Sequence, residues 1–185
     1  MSKGLITALS VIGIFVVLIL ISVGSYIGNY NYGNEAEKSL TAQYKDNQNV
    51  LSNYYNKVQE LVQVNDMYKD GLKEVVTAAI QGRYGEDGAK ASWQWIKEHN
   101  PTLDSTLYVK LTQVIEAGRD EFKNSQTLLL DKKRAYETNL GYFWKGTWLR
   151  LAGYPKINLD EIKIVVSGKT TEVFETGKEE PLKLK

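Results

Sequence analysis

The chain has 185 residues, with 23 basic and 22 acidic side chains, a single histidine and no cysteine. Its balance of charge, with no strongly basic run, disfavours nucleic acid as a partner, because phosphate recognition needs Lys and Arg concentrated on one face. The lack of Cys excludes a disulfide framework, a thiolate nucleophile and a thiolate metal site.

After a short N-terminus, residues 1–4, comes an unbroken apolar run from Leu5 to Ile27, and no charge occurs between Lys3 and Glu35. A hydrocarbon layer about 30 Å thick is crossed by roughly 20 apolar residues in one helix, which also satisfies its own backbone groups. The run therefore reads as a single-pass transmembrane anchor, residues 5–27. A cleaved signal peptide is the rival, since Ser22, Gly24 and Ser25 are small enough for a signal-peptidase site, although a secretory apolar region is usually shorter, about 7–15 residues. A buried core helix is the third reading. Lys3 precedes the run and the next cation is Lys38, a bias that puts the N-terminus inside and the rest of the chain outside the cytoplasm. Tyr26, Tyr30 and Tyr32 then suit the outer headgroup layer. Gly28, Gly33 and the Asn residues between them read as a flexible linker, residues 28–33.

With Lys3 set aside, the basic residues equal the 22 acidic ones, so the chain beyond the anchor is a neutral domain, predicted over residues 34–175. Asn34 and Glu37 have the form of a capping box that starts a helix. From there Leu40, Tyr44, Asn47, Leu51, Tyr54, Val58, Leu61, Asn65, Tyr68, Leu72, Val75 and Ala79 recur at steps of four and three, a coiled-coil-like seam. Asn47 and Asn65 are its polar members. Each reads either as a selector of register or partner, or as a hydrogen-bonded polar core residue. Asn65-Asp66 is also a place where the helix could divide.

Three glycines within Gly82–Gly88 supply a helix C-cap and a turn, and without a Lys-Ser/Thr ending they are a poor phosphate loop. Ala89–His99 reads as a short helix stopped by Asn100-Pro101. A second long helix carries Leu107, Leu111, Val114, Gly118, Phe122, Ser125, Leu129, Tyr136, Leu140 and Phe143 on one face, with Gly118 marking a close approach of a neighbour. Arg119, Asp120, Glu121, Lys123, Asp131, Lys132, Lys133 and Arg134 read as a solvated face. In Gly141–Gly153, Trp144 and Trp148 stand one helical turn apart. This segment either closes the end of a bundle or lies as an amphipathic helix on a membrane. Ile162–Val166 and Thr170–Phe174 suggest a small C-terminal β-hairpin, and residues 176–185 a mobile tail.

Candidate chemistry is sparse. His99 sits at a polar helix end, where an imidazole more often caps carbonyls than catalyses. Neighbouring carboxylates such as Asp120 and Glu121 point in different directions on a helix. No catalytic, cofactor-binding or metal-binding residue is assigned, and no cofactor is expected. The residues singled out for interaction or register are Asn47, Asn65, Trp144 and Trp148.

The order of these parts resembles the LemA family of bacterial and phage-encoded membrane-anchored helical proteins. The resemblance is carried by the single span, by Tyr55-Asn56-Lys57-Val58-Gln59-Glu60-Leu61-Val62 in the first long helix, by Leu129-Leu130-Asp131-Lys132-Lys133-Arg134-Ala135-Tyr136 in the second, and by Gly153-Tyr154-Pro155. It implies a mainly α fold, with one N-terminal transmembrane helix followed by an antiparallel bundle of long helices, in the bacterial inner membrane. It supplies no reaction or cofactor. The function expected is a non-enzymatic envelope scaffold or protein-interaction module, whose partners are the membrane, crossed once, and a second copy or another envelope protein. The alternatives are an envelope-polymer hydrolase or transferase, and a membrane-remodelling or phage-encoded envelope protein.

Overall fold

The computed structural model describes residues 3–63, 68–102, 104 and 106–165. The protein is mainly α-helical: among the described residues there are five α-helices, two long and three short, and no strand. The helices are α1 (Lys3–Val62), α2 (Lys69–Ile80), α3 (Gly88–His99), α4 (Thr106–Gly141) and α5 (Phe143–Leu151). They form two compact units, one of Met1–Ala42 with Asp131–Ile162, the other of Gln43–Leu130 with Lys163–Lys185.

In the second unit the core consists of Val58, Val62, Leu72, Val76, Ile96, Leu111, Ile115 and Phe122. The seam is thus a real packing stripe, widened by Val50, Val62 and Ile115, which the four-and-three spacing alone does not select. The first long pattern is divided as Asn65-Asp66 suggests: α1 ends at Val62, Gln63 has φ +44°, and α2 starts at Lys69. Asn65 itself lies outside the described residues. At the end of α2, Gly82 has φ +77°, its N–H donates to the Ala79 carbonyl (3.1 Å), and the Arg83 N–H donates to the Ala78 carbonyl (2.9 Å). This paired arrangement at a left-handed glycine consumes carbonyls that the helix leaves open. Gly118 is the expected close approach: a Cβ there would lie 2.9 Å from the Tyr54 ring and 3.2 Å from Ile80.

In the first unit α4 runs antiparallel to α1, with Tyr136 against Glu37 and both Lys132 and Ser39 on the wall of one open cleft. Here two expectations fail. Residues 28–33 are not a flexible linker but a continuous part of α1, and Asn34 with Glu37 is not a helix start. No proline interrupts this stretch, so its backbone N–H groups all remain available to the helical ladder, and the Asn29 side chain turns back along it, Nδ2 donating to the Ser25 carbonyl at 2.8 Å. Gly33 is retained for contact: a Cβ would lie 2.6 to 2.8 Å from three atoms of the Tyr154 ring.

The helical spacing puts Phe143 on the seam of α4, yet it is exposed. The helix stops at Gly141 and Tyr142 is extended (φ −66°, ψ 139°), which resets the helical phase before α5. The hairpin is not formed by the residues that are described. Instead of a strand, 162–165 has its backbone groups taken by side chains: Lys133 Nζ donates to the Ile162 carbonyl (3.3 Å), and the Val165 N–H donates to Gln126 Oε1 (3.1 Å). The rest of the hairpin and the tail lie outside the described residues.

Gly28 and Gly33 provide a test of this helical continuity. Gly28→Ala meets nothing within 4 Å and gains helix propensity, up to about 1 kcal/mol. Gly33→Ala drives into a ring held by its surroundings, an overpacking cost of about 1–3 kcal/mol that outweighs the same gain. Thermal unfolding of the full chain in detergent should therefore show an unchanged or raised Tm for the first variant and a lowered Tm for the second. Equal behaviour would restore the flexible linker.

Candidate functional site

The first polar cluster is built on Glu37. Its side chain is buried (7 % exposed), and Oε1 accepts from the Tyr136 hydroxyl at 2.8 Å, the Lys156 N–H at 2.6 Å and the Ile157 N–H at 3.4 Å. The chain reaches it through another left-handed glycine. At the end of α5, Gly153 (φ +81°) donates to the Arg150 carbonyl and Tyr154 donates to that of Leu149, both at 3.0 Å. Leu149, Ala152 and Tyr154 then pack together, the apolar contact that accompanies this kind of helix end. Tyr154 is thereby turned onto Gly33 and stands edge-on to Tyr30 at 5.9 Å. Lys156 Nζ lies 4.4 Å from the centre of the Tyr154 ring and 4.7 Å from that of Tyr30.

A second cluster surrounds Asn47, in the other unit. Asn47 is buried (4 % exposed); its amide nitrogen faces Ser125 Oγ and, at 3.2 Å each, the Gln43 and Ser125 carbonyls. Gln43 Nε2 also donates to Ser125 Oγ, at 3.1 Å. Asn47 is thus a buried, hydrogen-bonded member of the seam. Nearby in sequence, the Tyr54 hydroxyl donates to Glu121 at 2.6 Å, so one carboxylate of the expected solvated face is in use. Lys133 is another exception, with Nζ 2.8 Å from the Leu159 carbonyl.

Trp144 and Trp148 do meet, edge to face, with ring centres 5.6 Å apart. Their surroundings differ: Trp144 is 61 % exposed, whereas Trp148 is partly buried and its Nε1 has no acceptor among the described residues. The buried side of α5 is Gly146 and Leu149, with Gly146 directly against the Leu140 carbonyl, where any side chain would collide. Lys145 Nζ sits 3.4 Å from the centre of the Tyr32 ring. The bundle-closing reading is therefore half realised, because Tyr142, Phe143, Trp144 and Leu151 all face outward. His99 is stacked on Trp95 (4.0 Å) and edge-on to Tyr68 (4.5 Å), and its Nδ1 is 2.8 Å from the Trp95 carbonyl.

Sequence reasoning missed Glu37 as a core acceptor, since its partners Tyr136 and Lys156 are far away in the chain. The Gly153 turn carried a readable signal: a short amphipathic helix, then glycine, an aromatic residue and proline.

What the fold and these clusters define is a helical protein with, among the described residues, one helix long and apolar enough to cross a membrane, near the N-terminus. No family model, curated protein or solved structure matches the chain.

The two tyrosine–glutamate pairs have a pH signature. Its carboxylate partner, then burial, push Tyr54 up to about 12, and burial followed by Glu37 pushes Tyr136 up as well. A raised folded value means that this stability is complete below the ordinary tyrosine value near 10 and is lost as pH rises through about 12. Absorbance titration should show a tyrosinate step near pH 12 that Tyr54→Phe removes, with the Tm falling as pH rises through the same interval. A titration curve unchanged by Tyr54→Phe in that interval would contradict the pairing.

Proposed function

We propose that the chain is a non-enzymatic, membrane-anchored envelope scaffold or protein-interaction module, resembling the LemA family. Leu5–Ile27 crosses the bacterial inner membrane once, and the helical domain lies outside the cytoplasm. The observation that carries this reading is the continuity of α1, which runs as helix from the apolar run through Gly28–Gly33 to the buried Glu37. A span joined in this way to a packed domain holds that domain at a set height above the lipid, as a scaffold requires.

The apolar run supports the anchor independently. Its most hydrophobic window buries nothing against the rest of the chain, and Leu9, Ile12, Phe15, Ile19 and Leu20 are all exposed. A core helix of a soluble protein would cover such residues, because each large apolar side chain left in water forgoes about 1.5–3 kcal/mol. The non-enzymatic part is supported by the environment of the single histidine, whose ring is engaged with Trp95 and Tyr68. The interaction partner is a second copy or another envelope protein.

Alkaline extraction of native membranes should leave the protein in the pellet with its N-terminal run intact by mass. Protease added to intact spheroplasts should remove the helical domain, and crosslinking should trap one stoichiometric protein. Loss of the run would show a signal peptide, protection of the domain would reverse the orientation, and a failure to trap any partner at native abundance would count against the scaffold.

A further inference from the structure

The outward side of α5 is the part of the first unit that its packing leaves unexplained. Phe143 is 88 % exposed and Trp144 61 %, with Tyr142 and Leu151 also open. Tyr142, Phe143 and Trp144 are consecutive just past the end of α4 and Leu151 lies about two turns along α5 from Trp144, and a soluble surface gains nothing from presenting them.

Where this stretch sits along α1 is set by contacts within the unit. Tyr136 is paired with Glu37, and α4 runs antiparallel to α1 for five more residues to Gly141, which brings its end level with Tyr32. Lys145 fixes the same level independently through its contact with the Tyr32 ring. Tyr32 lies five residues beyond Ile27, and at about 1.5 Å per residue that is roughly 7–8 Å past the apolar run. The headgroup layer on one side of a bilayer is itself about 5–8 Å thick, the difference between the hydrocarbon and total thickness shared between two faces. The aromatic stretch therefore falls at the depth where amphipathic rings are most stable.

Lys145, Arg150 and Lys156 belong to the same region, and such cations suit lipid phosphates beside rings that enter the acyl boundary. Tyr26 and Tyr30, 40 % and 41 % exposed on α1, occupy the adjoining depth.

We propose that Tyr142, Phe143, Trp144 and Leu151 insert into the headgroup region of the same bilayer that α1 crosses, so that α5 is a second, interfacial foot of the domain. The proposal rests on the membrane anchor proposed above. It commits to a lipid surface as the occupant, because α1 carries that surface to within reach of α5. The foot holds the domain against rotation and tilt about a single helix.

The absence of cysteine allows a single label to be placed in the full-length chain. Phe143→Cys and, as a reference, the exposed Asp131→Cys ten residues before the end of α4 would each carry a nitroxide in phosphatidylcholine vesicles. The label at 143 should be shielded from a water-soluble nickel relaxant and open to oxygen, while the label at 131 remains accessible to nickel. Equal nickel accessibility at both positions, in protein that floats with the vesicles, overturns the foot and leaves the anchor standing. Dipolar broadening between labels at 143 would assign the surface to a second copy and also overturn it. Protein that does not float overturns the anchor and the foot together.

Discussion

A carboxylate taken out of water must find donors within the protein, and Glu37 finds three. One is the Tyr136 hydroxyl on α4, and two are backbone N–H groups of Lys156 and Ile157, beyond α5. A hydrogen bond to a charged group contributes about 1.5–3 kcal/mol, and an orphaned buried partner costs a similar amount. The side chain thus ties three segments of the first unit together at one oxygen. The phase of α4 on α1, the turn at Gly153, and the seat of Tyr154 on Gly33 must all agree for those donors to converge.

That agreement also sets α5. Tyr142 breaks the helical run, Gly146 lets the backbone of α5 approach the Leu140 carbonyl, and Gly153 sends the chain back to α1. Leu149, Ala152 and Tyr154 are the apolar side of the arrangement. Because α5 is held this closely, its outward residues occupy a defined height along α1. A loosely attached aromatic segment could be placed at no particular depth.

Much of this was legible in the sequence where the signal is local or periodic. The apolar run, the two long helices, the division after Val62, the glycine cap after α2 and the close approach at Gly118 all follow from spacing or from backbone chemistry. The seam found Asn47, and the structure gives it a buried hydrogen-bonded contact with Ser125. What spacing could not reach depends on partners distant in the chain. Asn34 with Glu37 has the residue types of a capping box, but such a box is a reading of an isolated helix start. Here the helix is already under way, and the Glu side chain is claimed from a distance. Gly28 and Gly33 read as a linker because glycine is a poor helix former, yet Gly33 is needed small for Tyr154. The β-branched stretch at Ile162 meets Lys133 where the hairpin reading required a facing strand. Asn65 lies outside the described residues.

The central claim, that Glu37 joins α1 to α4 and to the chain after α5, is tested most directly by hydrogen exchange at the Lys156 and Ile157 amides. In the intact protein both should be protected. Glu37→Gln keeps an acceptor oxygen and should retain part of the protection, whereas Glu37→Ala should speed exchange at both amides by about 10- to 100-fold, the loss of roughly 1.4–2.7 kcal/mol of local stability. Unchanged protection at both amides in Glu37→Ala would contradict the account.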